Sequence, residues 1–351
     1  MRSVFPVNPN RYRLWSPRYN RPFVALGLLV CLFMMGGCSR HIKAFLARGG
    51  AQSPTAEKCG ECHIEIYQEW KGSAHAESYR SLDFQKITAD YRIEECLPCH
   101  VPETILEGEE VRARSWRREE GITCVNCHWL NDRLHGPLDI PNPFPPHPVG
   151  ENDLRFRQSG LCGKCHRETL KEWEEWKGFI DREGESKPTC QDCHMLERQR
   201  ELIQDPPWRW LQSRKRTGRH TWNPRDGKDP ARSVDLKILL QSPPPGEVAG
   251  RVVIRNQELG HALPTGGFGY AEVALLITLE DSWGIPLDHM VHSFYQELKT
   301  SIRAGEERDI PFHFSDSTGK GIRLRAQLIR TSFDRKAQRM IAQVERALVS
   351  P

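Results

Sequence analysis

The chain has 351 residues, 38% hydrophobic and 27% charged, with 50 Lys+Arg against 46 Asp+Glu and a formal net charge of +4. That surplus is local: residues 1–22 hold five Arg (Arg2, Arg11, Arg13, Arg18, Arg21) and no acid, and without these five there are 45 basic residues against 46 acidic ones. No basic excess is left to argue for nucleic acid, and the 12 Cys, rather than the charge, decide the class.

After the Arg-rich start comes Phe23–Met35, thirteen residues without a charge, and then Gly36-Gly37-Cys38. A membrane span needs about 20 apolar residues, so this run is short for one. A basic segment, a short apolar core and small residues before a break describe an export signal. The Met35-Gly36-Gly37-Cys38 tetrad resembles the lipobox of bacterial lipoproteins, in which the Cys is acylated and becomes the new N-terminus. Met replaces the usual Leu at its first position, and the basic region is longer than usual. The resemblance implies a lipoprotein signal peptide over 1–37 and lipidation at Cys38, an uncleaved N-terminal anchor being the alternative. It also implies an exported protein held by lipid on the periplasmic or outer-surface face of a bacterial membrane. Ser39 after the lipidated Cys favours the outer membrane by the same analogy. There is no twin-Arg pair, so the chain is expected to cross the membrane unfolded.

Residues 38–58 form a linker of small and polar residues. Beyond it, ten Cys fall into five copies of one pattern: Cys59-Gly-Glu-Cys62-His63, Cys96-Leu-Pro-Cys99-His100, Cys124-Val-Asn-Cys127-His128, Cys162-Gly-Lys-Cys165-His166 and Cys190-Gln-Asp-Cys193-His194. Cys-x-x-Cys-His is the attachment site of c-type haem: the thiols add across two vinyl groups of the porphyrin, and the adjoining His becomes the proximal ligand of its iron. Structural zinc sites also use paired Cys, but no His need follow the second one. Disulfides give no reason for five equal spacings with one trailing residue, and a thioredoxin-like motif occurs once per domain. The ten Cys are therefore read as attachment points for five covalent haems c, with five irons held by His63, His100, His128, His166 and His194. Haem attachment after export agrees with the leader.

The motifs start 28–38 residues apart, separated by segments rich in Pro, Gly and charge. The run Pro141-Asn-Pro-Phe-Pro-Pro-His-Pro148 can be neither regular helix nor regular strand. With so few large aliphatics, residues 59–232 are predicted to be an α-plus-irregular pentahaem cytochrome domain whose core is the haems, with short helices over 64–70 and 168–177. A weak repeat joins the first and fourth motifs: Glu65, Glu69 and Trp70 follow His63 as Glu168, Glu172 and Trp173 follow His166. His75 follows the first copy, whereas Gly178 or Asp181 stands in its place after the second. The Trp residues, Trp70 and Trp173 among them, are read as haem packing. From residue 233 the Cys cease and β-type runs appear at 234–240, 251–255, 272–279, 308–314 and 322–329, with turn signals between them. A small all-β sandwich over 233–333 is predicted. A final helix is expected within 334–351, with Met340, Ile341, Val344 and Leu348 on one face.

Nine of the 14 His lie outside the motifs, and five irons have second axial positions to fill. The contexts Trp70-Lys-Gly-Ser-Ala-His75, His128-Trp-Leu-Asn-Asp-Arg-Leu-His135, Arg219-His220-Thr-Trp222 and Gly260-His261-Ala-Leu-Pro-Thr-Gly266, together with Cys193-His194-Met195, carry a resemblance. The chain resembles multihaem cytochromes of the cytochrome c-554 class, which is related to hydroxylamine oxidoreductase and pentahaem nitrite reductase. It looks most like members with a C-terminal β-domain bearing a Gly-His-x-x-Pro-Thr-Gly loop. The resemblance spans roughly residues 59–330 and implies bis-His ligation, with His75, His135, His220 and His261 as distal ligands. His147, inside the Pro-rich run, completes the count. His261 is expected to fill the iron position left by the second repeat copy, clamping the β-domain to the haems. Met195 and Met290 are the minority alternative, and His289, His292 and His313 are read as ordinary β-domain residues. Electron transfer between redox proteins (cytochromes, quinol oxidases or reductases) is the implied function. The alternative is an oxidoreductase acting on a small nitrogen or sulfur compound at one open haem.

Overall fold

In a helix, positions i, i+3 and i+4 lie on one side, so a single turn is enough to present two thiols and an imidazole to the same ligand. The computed structural model shows this turn at the motifs, and it describes residues 53–139, 147–176, 187–206, 208–222, 233–257, 259–267, 272–331 and 338–348. Helix α1 (Ala56–Gly60) opens on Thr55, whose hydroxyl accepts from Lys58 N–H, and His63 N–H closes the motif on the Cys59 carbonyl at 2.9 Å. His166 N–H closes the fourth motif on the Cys162 carbonyl at 3.0 Å. In the last motif Thr189 and Asp192 cap each other's backbone N–H reciprocally at the start of the helix Cys190–His194.

The chain divides into two compact units, Met1–Gln52 with Asn142–Pro148 and Ser53–Pro141 with Val149–Pro351. Of the first unit only His147 and Pro148 are described. Cys38, the leader and residues 141–146 of the Pro-rich run lie outside the described residues, as do Gly178 and Asp181.

Within the second unit, α2 (Ile64–Lys71) follows the first motif and α3 (Leu82–Ile87) precedes the second, in α4 (Leu97–His100). The third motif is α5 (Cys124–His128), and α6 (Gly160–Gly163) begins the fourth, followed by α7 (Arg167–Glu175); the fifth is α8 (Cys190–His194). Small strands join them: β1 (Trp129–Leu130), β2 (Arg133–Gly136) and β3 (Val149–Asn152) in one sheet, β4 (Glu197–Arg200) and β5 (Lys215–Gly218) in another. The buried apolar clusters here are slight: Ala56, Trp70 and Ala76 in one, Phe84, Leu97 and Val101 in another.

The C-terminal part is all β, and its apolar core is of a different order. Strands β6 (Val234–Leu240), β7 (Glu247–Asn256) and β10 (Glu307–Ser315) form a sheet in the order β10-β7-β6. Strands β8 (Glu272–Glu280), β9 (Pro286–Tyr295), β11 (Arg323–Thr331) and β12 (Gln338–Ala347) form a second, in the order β12-β11-β8-β9. Leu236, Val252, Ile254 and Phe312 from the first sheet and Leu275, Ile277, Phe294 and Leu324 from the second belong to one buried cluster. The near-continuous apolar run Val273–Leu279 matches the burial of β8 on both faces, and within its sheet the strand pairs antiparallel with β11 on one side and β9 on the other.

Two elements differ from the sequence reading. The expected final helix is strand β12, because β11 needs a partner for its second edge: Ala326 pairs with Val344 and Leu328 with Ala342. A register shift between Leu328 and Ile329 places one extra residue, Ile341, in the ladder. That bulge puts Met340 and Ile341 in succession and gives a strand the spacing of a helical stripe. Strand β9 was not expected at all: it lies at a sheet edge and is largely exposed except for Phe294 near its end. No helix among the described residues is long and apolar enough to cross a membrane.

Candidate haem-binding sites

No disulfide joins any of the ten motif Cys. Three contacts join different motifs: Cys59 with Cys124, Cys99 with Cys165 and Cys162 with Cys190, each within hydrogen-bonding reach. The first motif therefore adjoins the third, and the second adjoins the fourth, which adjoins the fifth.

The proximal imidazoles are oriented from behind by backbone. His63 Nδ1 lies 2.7 Å from the Leu202 carbonyl, His100 Nδ1 2.6 Å from that of Ser78, and His128 Nδ1 2.7 Å from that of His135. His194 bonds to the Trp222 carbonyl. A carbonyl oxygen only accepts, so in the first three the proton is on Nδ1, and Nε2 is the ring nitrogen whose lone pair a metal would take. Burial lowers the pKa of His100, His128, His166 and His194 and so favours their uncharged form. It pushes His194 down to about 4, His75 to about 4 and His220 to about 3, and the imidazoles of His261, His166 and His128 respectively add to the lowering. Neutral imidazole is the ligating form.

Three of the proximal rings face a second imidazole. The ring centres are 6.4 Å apart for His166 and His75, 6.2 Å for His128 and His220, and 6.4 Å for His194 and His261. A ligating imidazole nitrogen stands about 2 Å from its metal, so rings on opposite sides of one metal have centres roughly 6 Å apart. The residues present thus fit haem c in three ways: thiol pairs on the proximal side, neutral imidazoles with fixed tautomers, and imidazole pairs at a two-sided spacing.

The pairing differs from the expected one in a specific way. His261 faces His194, and the ring opposite His166, in the second repeat copy, belongs to His75. Helix α2 explains this: eight residues at 1.5 Å each carry the chain about 12 Å from the first motif, so the His beyond it meets another motif's imidazole. His135 contributes its carbonyl to His128, while its ring lies where a Cβ on Gly150 would stand. The ring stacked on His100 is that of Phe84, with centres 3.9 Å apart and planes at 15°. His147 has its Nδ1 3.4 Å from the carbonyl of Pro148, within its own unit.

The repeat also carries a role not assigned from sequence. Glu69 Oε2 accepts from the backbone N–H of His220 at 3.0 Å, and Glu69 Oε1 pairs with the buried Arg200 at 2.9 Å. Glu172, its counterpart on α7, accepts from Ala262 N–H at 2.9 Å and from the Thr265 hydroxyl at 2.7 Å. Each glutamate, six residues past a proximal His, holds the backbone at or next to an imidazole that faces another motif. The signal for this was the repeat itself. The His261 loop is further tied to the β part by Leu263, which exchanges backbone hydrogen bonds with Ile302 at 2.9 Å, and by Asn256, which donates to the His261 carbonyl.

Residues 58–129, covering the first three motifs, match the family described as cytochrome c554 and c-prime. Among solved structures, a penta-haem cytochrome c552 from Thermochromatium tepidum is similar over 84% of this chain and 99% of its own, at 20% identity and a TM-score of 0.56. The fold is that of a multihaem c-type cytochrome. The family match and this likeness together support covalently bound haem c, with its iron, as the cofactor and a redox role for the protein. A glycosyl hydrolase family 2 member from Bacteroides cellulosilyticus aligns with only 32% of the chain and 13% of its own, at 8% identity and a TM-score of 0.21. Among curated proteins none matches.

Proposed function

We propose that this is a lipid-anchored electron-transfer cytochrome of the exported compartment, carrying five haems c on Cys59/Cys62, Cys96/Cys99, Cys124/Cys127, Cys162/Cys165 and Cys190/Cys193. The observation that carries the reading is the set of three imidazole pairs at 6.2–6.4 Å. Two-sided ligation leaves an iron no position for a substrate, whereas electrons pass between adjacent haems without needing one. His75 with His166, His220 with His128 and His261 with His194 are the proposed ligand pairs. For the irons of His63 and His100 the sequence offers His135 and His147. The thiol contacts between motifs would bring neighbouring haems close, and the electrons would go to and from other redox proteins.

The second reading is an oxidoreductase acting on a small nitrogen or sulfur compound at one open iron; the Phe84 ring stacked on the face of His100 does not favour it, because Phe156 stacks in the same way on His128, which also faces His220. The spin state of the ferric protein separates the two. An electron carrier gives low-spin signals throughout and no carbon monoxide adduct on reduction. One high-spin haem in five, binding carbon monoxide, would favour the enzyme.

A further inference from the structure

Trp222 stands where three of the five motifs meet. Its indole packs edge-on against His75, with ring centres 4.2 Å apart and planes at 73°, and edge-on against His220 at 5.5 Å and 79°. These are the rings facing His166 of the fourth motif and His128 of the third. The backbone carbonyl of the same residue accepts from His194 of the fifth motif. Trp222 holds this place with φ at +48°, in the left-handed region that non-glycine residues seldom enter. A residue kept in that conformation is over-determined by its surroundings, here by contacts on its ring and on its carbonyl together.

Resting on the ligand pairs proposed above, we infer that Trp222 is a positioning residue that fixes the imidazole planes of His75 and His220 and so couples two haem centres, while its carbonyl orients the imidazole of a third. The rotation of an imidazole about its Cβ–Cγ bond is broad and nearly two-fold, so the rotamer alone does not fix the ring plane. His220 has one tether, a hydrogen bond from Nδ1 to the Gly218 carbonyl at 3.0 Å. His75 has none: its Nδ1 is buried without a hydrogen-bond partner among the described residues. For His75 the orientation is therefore left to packing, and the indole edge is the nearest ring. Edge-to-face contact is directional, because the positive rim of one ring meets the negative face of the other. The proximal and distal planes stand at 47° for His75 and His166 and at 35° for His220 and His128, against 21° for His261 and His194, whose ligand rings Trp222 does not pack on.

The angle between the two imidazole planes sets the g-anisotropy of a low-spin ferric haem, so electron paramagnetic resonance of the holoprotein reads the inference directly. Trp222→Gly removes the indole, keeps the carbonyl that His194 uses, and relieves the positive φ. The expected result is five haems still bound and low-spin, with two of the low-spin components shifted and the others unmoved. Trp222→Phe keeps an aromatic ring on the same backbone and should give smaller shifts of the same two components. It alone decides the matter if the glycine variant does not assemble. His75→Ala and His220→Ala are the controls: each should convert one haem to high spin. If the controls do so while the Trp222 variants keep the wild-type spectrum, Trp222 merely packs and the inference fails. If the controls stay low-spin, it is the ligand pairing that fails instead.

Discussion

His261 is the residue on which the link between the haem motifs and the β part turns. Its loop is held by two anchors, the Leu263 and Ile302 backbone pair and Glu172, which accepts from Ala262 N–H and the Thr265 hydroxyl. Replacing His261 with Ala should turn one low-spin haem into a high-spin one that binds carbon monoxide when reduced, with four unchanged; an unaltered ferric spectrum would remove His261 from the ligands. Glu172→Ala should leave the ligand in the chain but loosen its hold. Hydrogen bonds to a charged group are worth about 1.5–3 kcal/mol each, and two are lost, so the unfolding midpoint in urea should fall measurably while the haem count stays the same. The proposed attachment residues are readable in the sequence because two thioethers and an axial ligand on one haem demand two thiols and a His at fixed spacing. The facing imidazoles were legible as candidates but not as pairs, since which ring meets which depends on where a helix such as α2 delivers the chain.

At the scale of elements, the strands with clean alternation or long apolar runs were readable, β8 and β11 above all. Strand β12 was not, because its bulge at Ile341 imitates a helical stripe, and β9 was not, because an edge strand with one buried anchor shows little periodicity. The helices α2 and α7 were expected, yet their glutamates acquired meaning only from the loops packed on them. The β part has its own core, and Leu275 on β8 is fully buried within it. Leu275→Ala should cost about 2–5 kcal/mol. Denaturant unfolding followed by far-ultraviolet circular dichroism would show the earlier loss of β structure. A variant as stable as the wild type would mean that the two sheets do not share the packing described.

For the molecule as a whole, the contrast lies between a β part with a large aliphatic cluster and a motif-bearing part whose buried clusters are a few residues each. A chain that cannot bury enough apolar surface of its own needs another source of cohesion. Haem planes bound through ten thioethers would supply it. On the membrane side, Cys38→Ala should block lipid attachment and leave the precursor uncleaved before residue 38, read as a larger intact mass with no acyl chains; stable retention of the wild type requires several acyl chains, since one holds a protein only marginally, and wild-type protein that is soluble without detergent would contradict the anchor. The central claim, that five covalent haems form the core of the motif-bearing part, is tested most directly by the intact mass of the purified holoprotein under denaturing conditions. The expected mass is that of the processed chain plus five haems, and a mass that accommodates four or fewer would contradict it.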